Sequence, residues 1–377
     1  MAGRKQKNTE IRSEKYSREQ EIKNTKKMRE ILEDLPGFCR QYFRGIEDSV
    51  SARTRLAYAY DLRVFFEFLQ QENPSLQDTG IHDFPISLLE RIGKEDIEEY
   101  LEYLSCYEKA GQVYTNDARG KARKLSAVRS LFKYFYRSEI LEKDVTALVP
   151  LPRLHEKPIV RLDSTEVSRM LMKADSGAEL TRNQQRFHNK TRLRDVAILT
   201  LLLGTGIRVS ECVGLDVDDL DFKEKGMVVH RKGGSESIVY FSDEVETALK
   251  EYLEQRKQAL TKEGHEKALF LSLQSRRITV RAVENLVKKY AGLATSLKKI
   301  TPHKLRSTFG TSLYRETGDI YLVADVLGHK DVNTTRKHYA AIDEDRRKSA
   351  RNIVRLRSDP QNSEEDSKKS EADDAEE

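Results

Sequence analysis

Three of the chain's eight prolines fall within nine residues, at Pro150, Pro152 and Pro158. Proline fixes φ and has no amide proton to donate, so VPLPRLHEKP cannot run as continuous helix and reads as a linker. Each flank then needs a core of its own, and 377 residues are enough for two domains plus tails. Hydrophobic residues make up 38% and charged residues 34%, with a mean hydropathy of −0.68, a wet composition that still builds helical cores. No run approaches the roughly 18–20 apolar residues of a membrane span. The N-terminus, MAGRKQKNTEIRSEKYSREQ, lacks the apolar stretch of a secretory signal. Cys39, Cys106 and Cys212 are scattered, show no metal-ligand spacing and leave an odd thiol over. Reduced thiols and a cytoplasmic location are expected, with no membrane contact.

Before the linker the pattern is helical. Residues 1–30 are highly charged without an apolar stripe, which predicts a disordered arm or a solvated helix. A folded domain over 31–148 follows. ARTRLAYAYDLRVFFEFLQQE sets Leu56, Tyr60, Val64, Phe65, Phe68 and Leu69 at helical spacing, with Arg53, Arg55, Asp61, Arg63 and Glu67 elsewhere on the cylinder. KEDIEEYLEYLSCYEK predicts a second helix on Ile97, Tyr100, Leu101 and Leu104. ARGKARKLSAVRSLFKYFYRSEIL predicts a third, basic at its start and apolar through Val128, Leu131, Phe132 and Phe135.

Beyond the linker (149–159) a second domain is expected over 160–357. DSTEVSRMLMKAD opens with a capping pattern at Ser164 or Thr165. A polar segment, SGAELTRNQQRFHNKTR, separates it from the apolar RDVAILTLLLGTGI. KGMVVHRKGGSESIVYFS alternates about Gly233-Gly234 and predicts a β-hairpin. Helices return in DEVETALKEYLEQRKQAL, RAVENLVKKYAGL, the stretch after Pro302, and RRKSARNIVRLR. The fold class is mainly α with a small antiparallel sheet. Residues 358–377 form an acidic, disordered tail. From Glu364 onward eight acids face two lysines, a net of −6, so the rest of a chain of net charge +5 carries about +11. Such a body suits a polyanionic partner, although many helical proteins are mildly basic without one.

Walker loop, strand-borne GxGxxG, HExxH and CxxC motifs are all missing from the sequence. The second domain instead carries cations at turns and helix starts. Arg208 follows a Gly-Thr-Gly break, and Lys232 sits at the hairpin tip. His303 and Arg306 lie three apart on one helical face, His329 follows Gly328, and Tyr339 follows Arg336, Lys337 and His338. Each has an ordinary reading. Arg208 could cap a helix or pair with Glu211, Lys232 could be solvated, and Gly328-His329 could end a helix. A His and an Arg in a first helical turn oppose the macrodipole unless an anion binds there. Together these groups suit one phosphate diester. Two guanidiniums neutralise its non-bridging oxygens and imidazoles donate hydrogen bonds or move a proton. An ammonium can protonate a departing alkoxide, while a phenol attacks to give a phosphotyrosine. Neither metal nor other cofactor is called for.

The order Arg…Lys…His-x-x-Arg…His…Tyr, in GTGIRVSECVGLDVDDLD, RKGGSES, TPHKLRSTFGT and LGHKDVNTTRKHYA, resembles the catalytic signature of the tyrosine recombinase (phage integrase) family, and most of all its bacterial Xer-type members. The resemblance covers nearly the whole folded chain and implies a helical core-binding domain joined to a tyrosine-recombinase catalytic domain. It implies Arg208 and Arg306 as the phosphate clamp, His303 as general base or proton relay and Lys232 as general acid. His329 would donate a hydrogen bond to the phosphate, Tyr339 would be the nucleophile, and Glu211 would support Arg208. The Tyr lies ten residues beyond His329, one more than in the commonest Xer pattern. The polar stretch 176–192 is longer than in compact Xer proteins and resembles the single-recombinase Xer systems of streptococci and lactococci. Tyr290, Tyr314 and Tyr321 compete as nucleophiles, but their apolar periodicity predicts core positions.

The resemblance further implies double-stranded DNA as partner, a tetrameric synapse on it, and strand exchange without ATP. The segments Arg119–Tyr136 and Arg53–Arg63 are candidate groove contacts, with a solvated face as the alternative. DEDRRKSARNIVRLR would dock on a neighbouring subunit or pack within its own. A chromosome-dimer role, a mobile-element role and a need for an accessory or partner recombinase all stay open. So do two rivals: a DNA-binding accessory protein without strand transfer, and a relaxing enzyme like the type IB topoisomerases.

Overall fold

The structure, a computed structural model, describes residues 2–153, 160–231, 235–329 and 332. It divides into two compact units, Met1–Pro158 and Ile159–Glu377.

The first unit is built on helices α1 (Ala2–Leu32), α2 (Phe38–Gly45), α3 (Ala52–Glu72), α4 (Leu88–Arg91), α5 (Lys94–Tyr103) and α6 (Ala118–Arg137). A two-stranded hairpin, β1 (Tyr107–Lys109) and β2 (Gln112–Tyr114), lies between α5 and α6. Residues 2–32, left open by the sequence between disorder and helix, form α1. Near its end Met28, Ile31 and Leu32 are buried, and the helix packs on α3. Ser51 caps α3 by accepting the Thr54 amide proton at 3.3 Å. The α3 stripe of Leu62, Phe65, Phe66, Phe68 and Leu69 meets Val128, Leu131, Phe132 and Phe135 of α6 in one core.

Three expectations need correction here. The helix read through Lys109 ends at Tyr103, because the chain turns at Ser105-Cys106 into β1. Asp61, set apart from the apolar stripe of α3, has a side chain only 2% exposed. It accepts from Arg123 and from Lys124 of α6, the latter at 3.4 Å. Burial pushes the Asp61 carboxyl above its usual range against the pull of those two cations. Arg55 is buried as well, donating to Glu47 at 2.7 Å. The candidate groove cation Lys124 is therefore a buried partner of Asp61.

The second unit contains α7 (Ser164–Ser176), α8 (Arg182–Thr205), α9 (Val209–Gly214), the meander β3 (Leu220–Asp221), β4 (Gly226–His230) and β5 (Glu236–Tyr240), then α10 (Asp243–Lys257), α11 (Val280–Ala294), α12 (Pro302–Thr317) and α13 (Ile320–Leu327). Asp163, one residue before the expected caps, caps α7 in a reciprocal pair with Glu166. The polar segment 176–192 is not a separator. From Arg182 it is the first half of α8, capped by Thr181 and Gln184. In the apolar second half of α8, Ile198, Leu199, Leu201 and Leu202 are fully buried, and the helix packs against α10 and α12. β4 and β5 pair in antiparallel register, with His230 opposite Glu236 and Val229 opposite Ser237.

Candidate active site

The site begins where α8 stops. Gly206 takes the left-handed conformation (φ 63°), and a Cβ there would lie 2.4 Å from Phe309 and 2.9 Å from Leu327. Glycine thus meets two demands at once, a left-handed turn and the close approach of α12 and α13. The turn delivers Arg208 as the first residue of the α9 cap. Glu211, one turn on, accepts from the Arg208 backbone N–H at 2.8 Å and from its Nη1 at 2.7 Å. The Glu211 side chain is 3% exposed against 36% for Arg208, so the carboxylate is the fixed member of the pair.

Arg306 approaches the same turn from α12. Pro302 occupies the first helical turn, where a missing amide proton costs nothing, and His303 and Arg306 follow on one face. Arg306 is buried. Its Nη1 donates to the Gly206 carbonyl at 2.7 Å and its Nη2 to the Leu327 carbonyl. His303, a turn earlier, is exposed.

Helix α13 completes the arrangement. It ends in a second left-handed glycine, Gly328 (φ 61°), and the His329 N–H bonds back to the Ala324 carbonyl at 2.9 Å. The last carbonyls of α13 carry the negative end of its dipole, and three guanidiniums gather on them. Arg306 donates to Leu327, Arg208 donates to Gly328 at 3.3 Å, and Arg231 donates to Leu327 at 2.8 Å and Val326 at 3.1 Å. The ordinary readings of Arg208 and of Gly328-His329 are thus realised in full: an ion pair and a helix end. They coincide with the assembly of Arg208, Arg306 and His329 on one turn.

Lys232 and Tyr339 lie outside the described residues, as does the segment RRKSARNIVRLR. Of the competing tyrosines, Tyr290 is buried and donates to Asp195 at 3.1 Å, its phenol pushed well up by that burial and by Asp195. Tyr314 is buried too, but Tyr321, expected in the core, is 72% exposed. It stands at the start of α13, about 9 Å of helix rise from the end that carries His329. Among the described residues no group of three or more His, Cys, Asp or Glu could hold a metal ion. Sequence reasoning missed Arg231. Its signal was the strand period, which places it on the face of Met227 and Val229, both buried.

Residues 160–346 match the model described as the phage integrase family, and residues 40–139 match the phage integrase N-terminal SAM-like domain. The tyrosine recombinase XerC of Caldanaerobacter subterraneus is 32% identical over 311 residues, covering 80% of this chain and 81% of that protein. The chain belongs to the phage integrase family. Among other members, the tyrosine recombinase XerD of Staphylococcus epidermidis is 30% identical over 82% of this chain and 93% of its own length. The tyrosine recombinase XerS of Lactococcus lactis is 29% identical over 365 residues, covering 88% of this chain and 98% of that protein. Among solved structures, the XerH recombinase in a post-cleavage complex with palindromic difH substrate is 22% identical. It gives a TM-score of 0.60 over 81% of each chain. The Tn1549 transposon integrase bound to circular intermediate DNA gives 0.57 at 21% identity, over 81% of this chain and 95% of that one. These likenesses extend the tyrosine-recombinase fold to both units. No helix among the described residues is long and apolar enough to cross a membrane.

Proposed function

We propose that this family member is a site-specific recombinase that cuts and rejoins double-stranded DNA through a 3′-phosphotyrosine. One observation carries the reading: guanidiniums from two distant segments, Arg208 and Arg306, meet on the turn that presents His329. Two guanidinium forks suit the non-bridging oxygens of a phosphate diester, whose negative charge grows as a fifth oxygen approaches phosphorus. The Tyr339 hydroxyl attacks phosphorus and a new O–P bond forms as the P–O5′ bond breaks. His303 takes the phenolic proton and Lys232 supplies a proton to the leaving 5′-oxygen. His329 donates to a non-bridging oxygen. A 5′-hydroxyl of the partner duplex reverses the sequence, and one phosphodiester is regenerated for each one opened. No nucleotide triphosphate is consumed, and every step is borne by side chains.

Exchange between two duplexes cuts both strands of each, and so requires two active sites per duplex and four in all, hence a tetramer on DNA, formed in the cytoplasm. The lactococcal XerS aligns along nearly its whole length and over 88% of this chain. That favours a single recombinase acting on its own over one member of an unlike pair. Mapping the genomic sites that cross-link to the protein and placing two of them on a plasmid tests the reading. Recombinant plasmids from the purified protein alone are the expected result. Relaxation of a plasmid without any such site would identify a topoisomerase instead, and binding with neither outcome an accessory protein. Binding itself should weaken steeply with salt, because it rests on phosphate contacts.

A further inference from the structure

Arg231 belongs to no catalytic set described above, yet both arms of its guanidinium are held by hydrogen bonds. It leaves β4 on the inward face shared by Met227 and Val229, and its side chain is 8% exposed. One guanidinium arm donates to the Leu327 carbonyl at 2.8 Å, the other to Val326 at 3.1 Å and to Ser237 Oγ of β5 at 3.4 Å. Nη1 also lies 3.9 Å from Glu211, the carboxylate that fixes Arg208. Gly328 makes room for it, because a Cβ there would fall 2.5 Å from Nη1 and 2.6 Å from Cζ. The Arg231 backbone N–H donates to the Ser235 carbonyl at 2.8 Å, which closes the loop between the strands.

The next residue in the chain is Lys232. A charge is buried in this way only where several partners repay the desolvation, and all of these partners border the clamp. We propose that Arg231 is a positioning residue that ties the hairpin carrying Lys232 to the turn carrying His329, so that proton delivery to the leaving 5′-oxygen depends on it. The proposal rests on the reading of Lys232 as general acid. A planar fork that reaches two carbonyls and a hydroxyl together is something lysine cannot reproduce.

Sulfur in place of the bridging 5′-oxygen tests this, because a thiolate departs without a proton. Cleavage of nicked suicide substrates is measured with oxygen and with sulfur at that position, for wild type, Arg231→Ala, Arg231→Lys and Lys232→Ala. Arg231→Ala should slow cleavage of the oxygen substrate roughly 10²-fold, the cost of misplacing a catalytic group by about an ångström. On the sulfur substrate it should recover to within a few-fold of wild type, in parallel with Lys232→Ala. Arg231→Lys should show a smaller loss with the same recovery, and it keeps the test open if the alanine variant does not fold. Equal slowing on both substrates, with Lys232→Ala rescued, would overturn the positioning role and leave Lys232 in place. Failure of sulfur to rescue Lys232→Ala would overturn the general-acid reading, and the proposal with it.

Discussion

Replacing Glu211 by glutamine should weaken the clamp without disturbing its shape. The carboxylate takes two contacts from Arg208, at 2.8 and 2.7 Å, and sits 3.9 Å from Arg231. Glutamine has one acceptor oxygen, so only one of the Arg208 contacts survives, and its amide protons then face a guanidinium. A hydrogen bond to a charged group contributes about 1.5–3 kcal/mol, and breaking a fully buried pair costs about 3–5 kcal/mol. Because Arg208 is 36% exposed, water recovers part of that loss. A destabilisation of about 2 kcal/mol follows, read from the urea midpoint at unchanged slope. The part of it felt by the transition state should slow cleavage about 10- to 30-fold. The clamp acts on non-bridging oxygens, so the slowing should be equal on oxygen- and sulfur-bridged substrates. An unchanged midpoint together with cleavage within twofold of wild type would refute the claim that Glu211 holds Arg208 in place.

Gly206→Ala should impair cleavage more than binding to a distant phosphate. It combines a left-handed strain of about 1–2 kcal/mol with contacts to Phe309 and Leu327, and it shifts the carbonyl that receives Arg306. Single-turnover cleavage set against gel-shift affinity separates the two effects. Asp61→Ala strands Lys124 in the first unit and should destabilise that unit by about 3 kcal/mol, measured by calorimetry, with no direct effect on the chemistry. Burial pushes Asp219 up to about 6 from an ordinary value of 3.8. A carboxyl raised in the folded state binds its proton more tightly there. Its contribution therefore favours folding below pH 4 and is lost as the pH rises towards about 6. Relative to Asp219→Asn, wild type should lose on the order of 2 kcal/mol of stability across that window, seen in denaturation series at each pH.

The helices that make each core were legible, because apolar residues at helical spacing report directly on a buried face, as in α3 and α6. What the sequence concealed was mostly a matter of partners distant in the chain. Asp61 looks like a surface acid until Arg123 and Lys124 arrive from α6 to bury it. Arg231 looks like hairpin flank until the carbonyls of α13 come within reach. The first half of α8 was read as a separator because polarity does not distinguish loop from exposed helix, although Thr181 and Gln184 form a cap that marks its start. The β1–β2 hairpin has strands of three residues, too short for alternation to register. Its turn rests on the left-handed pair Ala110 and Gly111 (φ 51° and 73°). Tyr321 failed as a core residue because α13 has only eight residues and buries Val323, Ala324 and Leu327 alone. Of the cations placed at turns, Arg208, Arg306 and His329 each sit beside a glycine turn or a helix start, and these three come to one place.

The central claim is covalent chemistry at one tyrosine. A nicked substrate that traps the cleaved state, digested with protease and mapped by mass spectrometry, tests it most directly. The account expects a single nucleotide-bearing peptide, modified at Tyr339 through a 3′-phosphate, and none from Tyr339→Phe. An adduct on another residue, such as the exposed Tyr321, or one that persists in Tyr339→Phe, would contradict it.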